Sequence, residues 1–196
     1  MITHEDWETS VKFHGHICPG IAVGHRACWY ARKLLNLSSP SLASEYVVVA
    51  ENDLCGVDAV QINTGCTVGN DGLIIDLQGK QAFSFIQKKT GKGVRIVLEA
   101  PLWDSNHPIE LHHKVKLGTA SPEEAQEFFR LRKQRGEELL KLTDEELFKA
   151  DFIEQKIPGK PRLHPVVRCS RCDEQVMLPW AEKHREQTLC PSCRKQ

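Results

Sequence analysis

Phe13-His14-Gly15-His16-Ile17-Cys18-Pro19-Gly20 places two histidines and a cysteine within five residues, then follows them with proline and glycine. Proline suits the first position of a helix, where its missing N–H would have no partner in any case. The stretch therefore predicts a ligand-bearing turn that opens a helix at Pro19. Downstream, Ile21, Ala27, Cys28, Ala31, Leu34 and Leu35 recur at helical spacing and carry that helix to about Asn36. Upstream, Thr3 with a carboxylate three residues on predicts a helix start, and this first helix should end near Phe13.

Beyond the second helix, Tyr46-Val47-Val48-Val49-Ala50 is a β-branched run that reads as a buried strand. Residues 55–62 read as a short helix, with Asn63-Thr64-Gly65-Cys66 as the loop after it. Residues 73–77 and 81–87 are strand-like, and Gln78-Gly79-Lys80 between them predicts a hairpin. Thr90-Gly91-Lys92-Gly93 turns the chain into another strand over residues 94–98. Ser121-Pro122-Glu123-Glu124 is a capping box opening a polar helix to about Leu142, and Thr143-Asp144-Glu145-Glu146 caps a further helix. Helices, then strands, then helices again predict an α+β fold: a mixed β-sheet flanked by helices. Residues 157–165 carry three prolines and a glycine, so the expected division is a core domain at 1–157, a linker at 158–165 and a small domain at 166–196.

Lys and Arg together number 26, as do Asp and Glu, so no overall field draws the chain to nucleic acid or an anionic membrane. No apolar run reaches bilayer length, and MITHEDWETS is polar and acidic, unlike a secretory signal. The expectation is a cytoplasmic protein. Eight cysteines in such a chain argue for metal or thiol chemistry rather than disulfides. None lies between Cys66 and Cys169, which predicts two sites in two domains.

Cys169-Ser170-Arg171-Cys172 and Cys190-Pro191-Ser192-Cys193 are two C-x2-C pairs separated by 17 residues. Each pair folds as a knuckle aiming two thiolates one way, and two knuckles make the four-sulfur cage that zinc prefers. So short a segment cannot fold on a hydrophobic core alone, so one structural zinc per chain is expected on these four cysteines. From Lys160 to Gln196, eight Lys and Arg stand against four Asp and Glu. That modest excess is read as solvated surface rather than a nucleic-acid interface.

The early residues predict a second site. Cys18 precedes a helix start, where free N–H groups and the helix dipole favour a thiolate. His14 and His16 lie in the same turn, and Cys55 and Cys66 come from loops after the predicted strand. The candidate core site is therefore His14, His16, Cys18, Cys55 and Cys66, holding a second transition metal, with His16, Cys18 and Cys55 as candidate catalytic groups. Gly15 and Gly20 are expected to let the backbone pass close to the bound group. Cys28, on an apolar helical face, reads as core.

FHGHICPGIAVGHRA, then CGVDAVQINTGCTVGN and KKTGKGVRI, three motifs in order, strongly resemble the FmdE family, named for formylmethanofuran dehydrogenase. The resemblance covers roughly residues 8–100 by motif. It implies a thioredoxin-like α+β core, an intertwined homodimer and, in some members, a C-terminal zinc finger of treble-clef type. Only three residues follow Cys193, so a stunted treble clef or a ribbon-like variant is expected. It also implies a tie to molybdenum or tungsten formylmethanofuran dehydrogenase, an oxidoreductase of methanogenesis and one-carbon metabolism, although FmdE is not the component carrying the pterin-bound metal.

The leading expectation is a metal-binding accessory protein whose zinc finger docks a protein partner. The second is an enzyme in its own right, using a metal-bound water or a Cys18 thiolate. A third, a nucleic-acid-binding regulator, rests only on the basic finger.

Overall fold

The computed structural model describes residues 4–38, 41–103, 109–157, 164–184 and 186–195. Thr3, the predicted cap of the first helix, and most of the predicted linker (158–163) lie outside the described residues. The chain falls into two compact units, Met1–Ile157 and Pro158–Gln196.

In the first unit, α1 (His4–His14) and α2 (Pro19–Leu34) flank the FHGHICPG turn. Helix α2 is buried along most of its length, because small and apolar residues recur all round it. The chain then runs through β1 (Tyr46–Ala50), α3 (Gly56–Thr64), β2 (Leu73–Ile75), β3 (Ala82–Gln87) and β4 (Lys92–Leu98). It continues through α4 (Ile109–Leu117), α5 (Pro122–Leu139), the single turn α6 (Asp144–Leu147) and β5 (Phe148–Glu154). The sheet order is β2-β1-β3-β4-β5, with β2 parallel to β1 and every other pair antiparallel. This is a mixed sheet flanked by helices, as the sequence predicts.

Alternation decides the faces. Val48, Ala50, Phe83, Phe85, Val94 and Ile96 join the α2 residues in one core. Val47, Val49 and Ile86 form a smaller cluster with Ile74, Ile153 and Ile157. Burying a Phe or Ile side chain contributes about 1.5–3 kcal/mol, and a one-residue slip would turn all of them to the wrong face, so the register is firmly set.

Two expectations are corrected. Gln78-Gly79-Lys80 does not close a hairpin: β2 and β3 lie on opposite sides of β1. The segment crosses the end of β1 instead, where Gln78 N–H and Lys80 N–H both donate to the Glu51 carbonyl. The turn chemistry was legible, with Gly79 at φ +69°, but β1 had already taken the space between the two arms. The second correction is β5, which follows the helices where no strand was expected. Its pairing with β4 from Lys92↔Glu154 to Leu98↔Phe148 makes it the sheet's edge.

The helical layer is fixed by close contacts. A Cβ on Gly24 would stand 2.2 Å from the Gly56 carbonyl oxygen, and one on Gly20 would stand 2.8 Å from Cys55 Cβ. Glycines one turn apart on α2 thus let the start of α3 sit against its backbone. Helix α5 begins at the predicted Ser121 capping box. Its C-terminal end is held by Arg26, whose guanidinium donates to the Leu140 carbonyl at 2.8 Å and to Asp144 at 2.9 Å.

The second unit pairs β6 (Val166–Arg168) with β7 (Gln175–Met177), and β8 (Glu182–His184) with β9 (Gln187–Leu189). It ends in a one-turn helix, α7 (Pro191–Arg194). The first knuckle joins β6 to β7, and the second runs into α7.

Candidate metal centres

In the second unit Cys169, Cys172, Cys190 and Cys193 bring one sulfur each to within 4.8 Å of the others. None forms a disulfide. Cys172 Sγ and Cys190 Sγ are 3.9 Å apart. Metal–sulfur bonds of about 2.3 Å at tetrahedral angles place sulfurs about 3.8 Å apart, so the cage fits a zinc-sized ion. Backbone N–H groups of Cys172, Cys190 and Arg171 face Cys169 and hold its thiol down to about 6. Arg171 donates to the Cys193 carbonyl at 2.9 Å and so ties one knuckle to the other.

In the first unit the ligand atoms of His14, His16, Cys18 and Cys55 also lie within 4.8 Å of one another. Local structure explains each placement. His14 ends α1, and Gly15 at φ +88° turns the chain so that the His16 ring returns to 4.4 Å from that of His14. A Cβ on Gly15 would meet nothing within 4 Å, so this glycine serves the turn rather than a close approach. Cys18 is the N-cap of α2 and is buried against Ile21, Ala59 and Trp7. Cys55 precedes α3, and the glycine contacts with α2 carry it to Cys18.

Cys18 Sγ lies 3.7 Å from His14 Nε2. A tetrahedral ion with bonds of about 2.3 Å to sulfur and 2.0–2.1 Å to nitrogen places them about 3.6 Å apart. His14 Nδ1 is 2.8 Å from Asp58 Oδ2, the carboxylate–histidine pairing that orients an imidazole so its other nitrogen can bind metal. The sulfurs are electrostatically unequal. A hydrogen bond from Cys55 holds the Cys18 thiol down to about 4 against the opposing effect of burial. The Ile21 N–H in the open first turn of α2 and the Arg132 guanidinium add to that. The same hydrogen bond pushes the Cys55 thiol up. Of the two sulfurs, Cys18 is the one more readily deprotonated. Burial, with the Arg132 charge, lowers His16.

Cys66 does not join the cluster, which corrects its inclusion in the core site. Its thiol donates to the Tyr46 carbonyl at 3.7 Å, and burial raises its pKa. Helix α3 separates it from Cys55: nine residues at about 1.5 Å each put their flanks more than about 13 Å apart. Cys28 is core, as expected, with its thiol raised by burial. Sequence reasoning missed Asp58 and Arg132. Asp58 lies three residues after Cys55 on a short helix, a spacing that signals a shared end. Arg132 comes from the distant, polar α5, and its Nη2 is 2.9 Å from His16 Nε2. Two surface depressions, of about 440 and 480 Å3, lie by the β3–β4 turn and β5, and no cluster residue lines either.

A protein of Archaeoglobus fulgidus bearing the description "Probable S-adenosyl-L-methionine-binding protein" is 33% identical over 173 residues, or 85% of this chain and 47% of that protein. The chain spans about half the length of this curated relative. Among solved structures, a tungsten formylmethanofuran dehydrogenase FmdE-like protein from Syntrophus aciditrophicus is 26% identical with a TM-score of 0.61. That match covers 97% of this chain and 90% of the other. The family profile described as "FmdE, Molybdenum formylmethanofuran dehydrogenase operon" matches residues 13–149, a span that opens on the FHGHICPG turn and takes in the whole His/Cys cluster. The chain belongs to the FmdE family.

Proposed function

We propose that the first unit holds one divalent transition metal through His14 Nε2, Cys18 Sγ and Cys55 Sγ, with His16 beside the fourth position. The Asp58–His14 pair carries this reading, because it presents the other imidazole nitrogen to the cysteines at ligand spacing. His16 stands in the same cluster, but its Nε2 is engaged by Arg132 Nη2 at 2.9 Å. On this reading three protein ligands remain and the fourth position is open, the pattern of a working rather than a purely structural site. A metal there supplies Lewis acidity. The second unit holds one structural zinc on Cys169, Cys172, Cys190 and Cys193.

On this reading the chain is a metal-binding accessory protein of the FmdE type, linked to the molybdenum or tungsten formylmethanofuran dehydrogenase and one-carbon metabolism. The finger serves as its docking element for a protein partner. The test is elemental analysis of protein purified without added metal. Two metals per chain are expected, falling to one in Cys18→Ala and to one in a Cys169→Ser/Cys172→Ser variant. A single metal that survives Cys18→Ala would overturn the core site.

The open position and the guanidinium beside it favour a second reading, an enzyme acting on a substrate at that metal. The likeness to the Archaeoglobus protein makes S-adenosyl-L-methionine a ligand to titrate. We also propose a homodimer, since β2 and β5 are open sheet edges and Phe152 on β5 is 70% exposed. Light scattering at micromolar concentration checks it, and a monomer mass contradicts it.

A further inference from the structure

Arg132 reaches the cluster because α5 is pressed onto it. One turn further along, a Cβ on Gly136 would stand 3.0 Å from the Cys18 carbonyl carbon and oxygen. One turn earlier, the buried Phe128 ring lies 5.3 Å from the Arg132 Cζ and stacks with His112 at 5.2 Å. Phe128, Arg132 and Gly136 therefore form one stripe, at a spacing of four, that aims the guanidinium at His16. The neighbouring cations on α5 are paired, Arg130 with Glu127 and Arg135 with Glu138. Arg132 has no carboxylate within 4.0 Å among the described residues. Its one hydrogen bond to a side chain there is the 2.9 Å contact with His16 Nε2, and the group is only half-buried.

A positive charge beside a cation site needs a reason. A divalent metal balanced by the Cys18 and Cys55 thiolates is neutral, and the Asp58 carboxylate is engaged by His14 Nδ1 at 2.8 Å, so it does not occupy the Arg132 guanidinium directly. Its planar fork has N–H groups to spare and matches the two oxygens of a carboxylate or phosphate. We propose that Arg132 is the anion-binding residue of this centre, receiving the oxyanion group of a small substrate that reaches the open metal position beside His16. This rests on the metal reading above and adds the substrate's charge to it.

The test uses the full-length chain, analysed first for metal, then titrated calorimetrically with acetate, with phosphate and with neutral acetamide. Saturable binding of one oxyanion per chain is expected, with acetamide inert, and the two anions separate a carboxylate from a phosphate substrate. Arg132→Gln should weaken that binding at least about tenfold while metal content and melting temperature hold. Arg132→Lys, which keeps the charge and loses the fork, should fall between the two. Should Arg132→Gln lose metal, the lysine variant decides alone. Equal affinity in wild type and the variants, or no saturable anion binding to metal-loaded protein, overturns the proposal. A wild-type chain without core metal overturns the metal reading itself and this proposal with it, and the initial metal analysis tells the two failures apart.

Discussion

Gly24→Ala is the sharpest perturbation of the architecture that assembles the core centre. The new methyl carbon would lie 2.2 Å from the Gly56 carbonyl oxygen and 2.6 Å from Gly56 Cα. Both are backbone atoms, so no rotamer change relieves the clash, and α3 must retreat by about 1 Å to restore ordinary contact. Overpacking of this kind costs about 1–3 kcal/mol, and the better helix propensity of alanine returns only about 1 kcal/mol. The net loss should lower the melting temperature by a few degrees, at about 2–4 °C per kcal/mol for a chain this long. Cys55 rides on the same end of α3, and donor positions tolerate only about 0.2 Å. Core metal should therefore be lost or loosened while finger metal stays at one per chain. Thermal unfolding by circular dichroism, paired with elemental analysis, reads both effects. Gly69→Ala, where the nearest atom would be 3.9 Å away, is the control. A Gly24→Ala protein with wild-type melting and metal content would refute the claim that this contact sets the Cys18–Cys55 pairing.

Other predictions follow from single groups. Asp58→Asn keeps the shape but removes the charge behind His14, and should weaken core metal binding about 10–100-fold in a chelator competition, with finger metal unchanged. Buried His25 has Ser10 at 3.1 Å from Nδ1, no hydrogen-bond partner for Nε2 among the described residues, and a pKa lowered from 6.5 to about 4, chiefly by burial. Between those values the unfolded chain binds the proton and the folded chain does not, so stability is complete above about pH 6.5 and falls with pH. The loss approaches about 3 kcal/mol by pH 4. Urea unfolding at several pH values should show this slope in wild type and a flatter one in His25→Gln.

How much the sequence disclosed depended on how local each feature was. The FHGHICPG turn is short-range: Pro19 starts α2, Gly15 ends α1, and His14, His16 and Cys18 are held by the same few residues. The capping boxes at Ser121 and Thr143 were legible for the same reason. Cys66 was misplaced because its position depends on the direction of α3, which helix length alone could have supplied. The false hairpin at Gln78–Lys80 and the missed β5 concern strand order, which the partners decide. Phe148–Glu154 is mostly exposed and carries little apolar alternation, so only β4 identifies it as a strand. Arg132 stood on a helix full of exposed charges, and only the packing of Gly136 on Cys18 distinguishes it from its neighbours.

Anomalous diffraction at the metal edge, from crystals of the full chain purified without added metal, tests the core centre most directly. Two peaks per chain are expected. One should sit among the four finger sulfurs, and the other within about 2.0–2.4 Å of His14 Nε2, Cys18 Sγ and Cys55 Sγ. A single peak at the finger, with Cys18 and Cys55 metal-free, would contradict it.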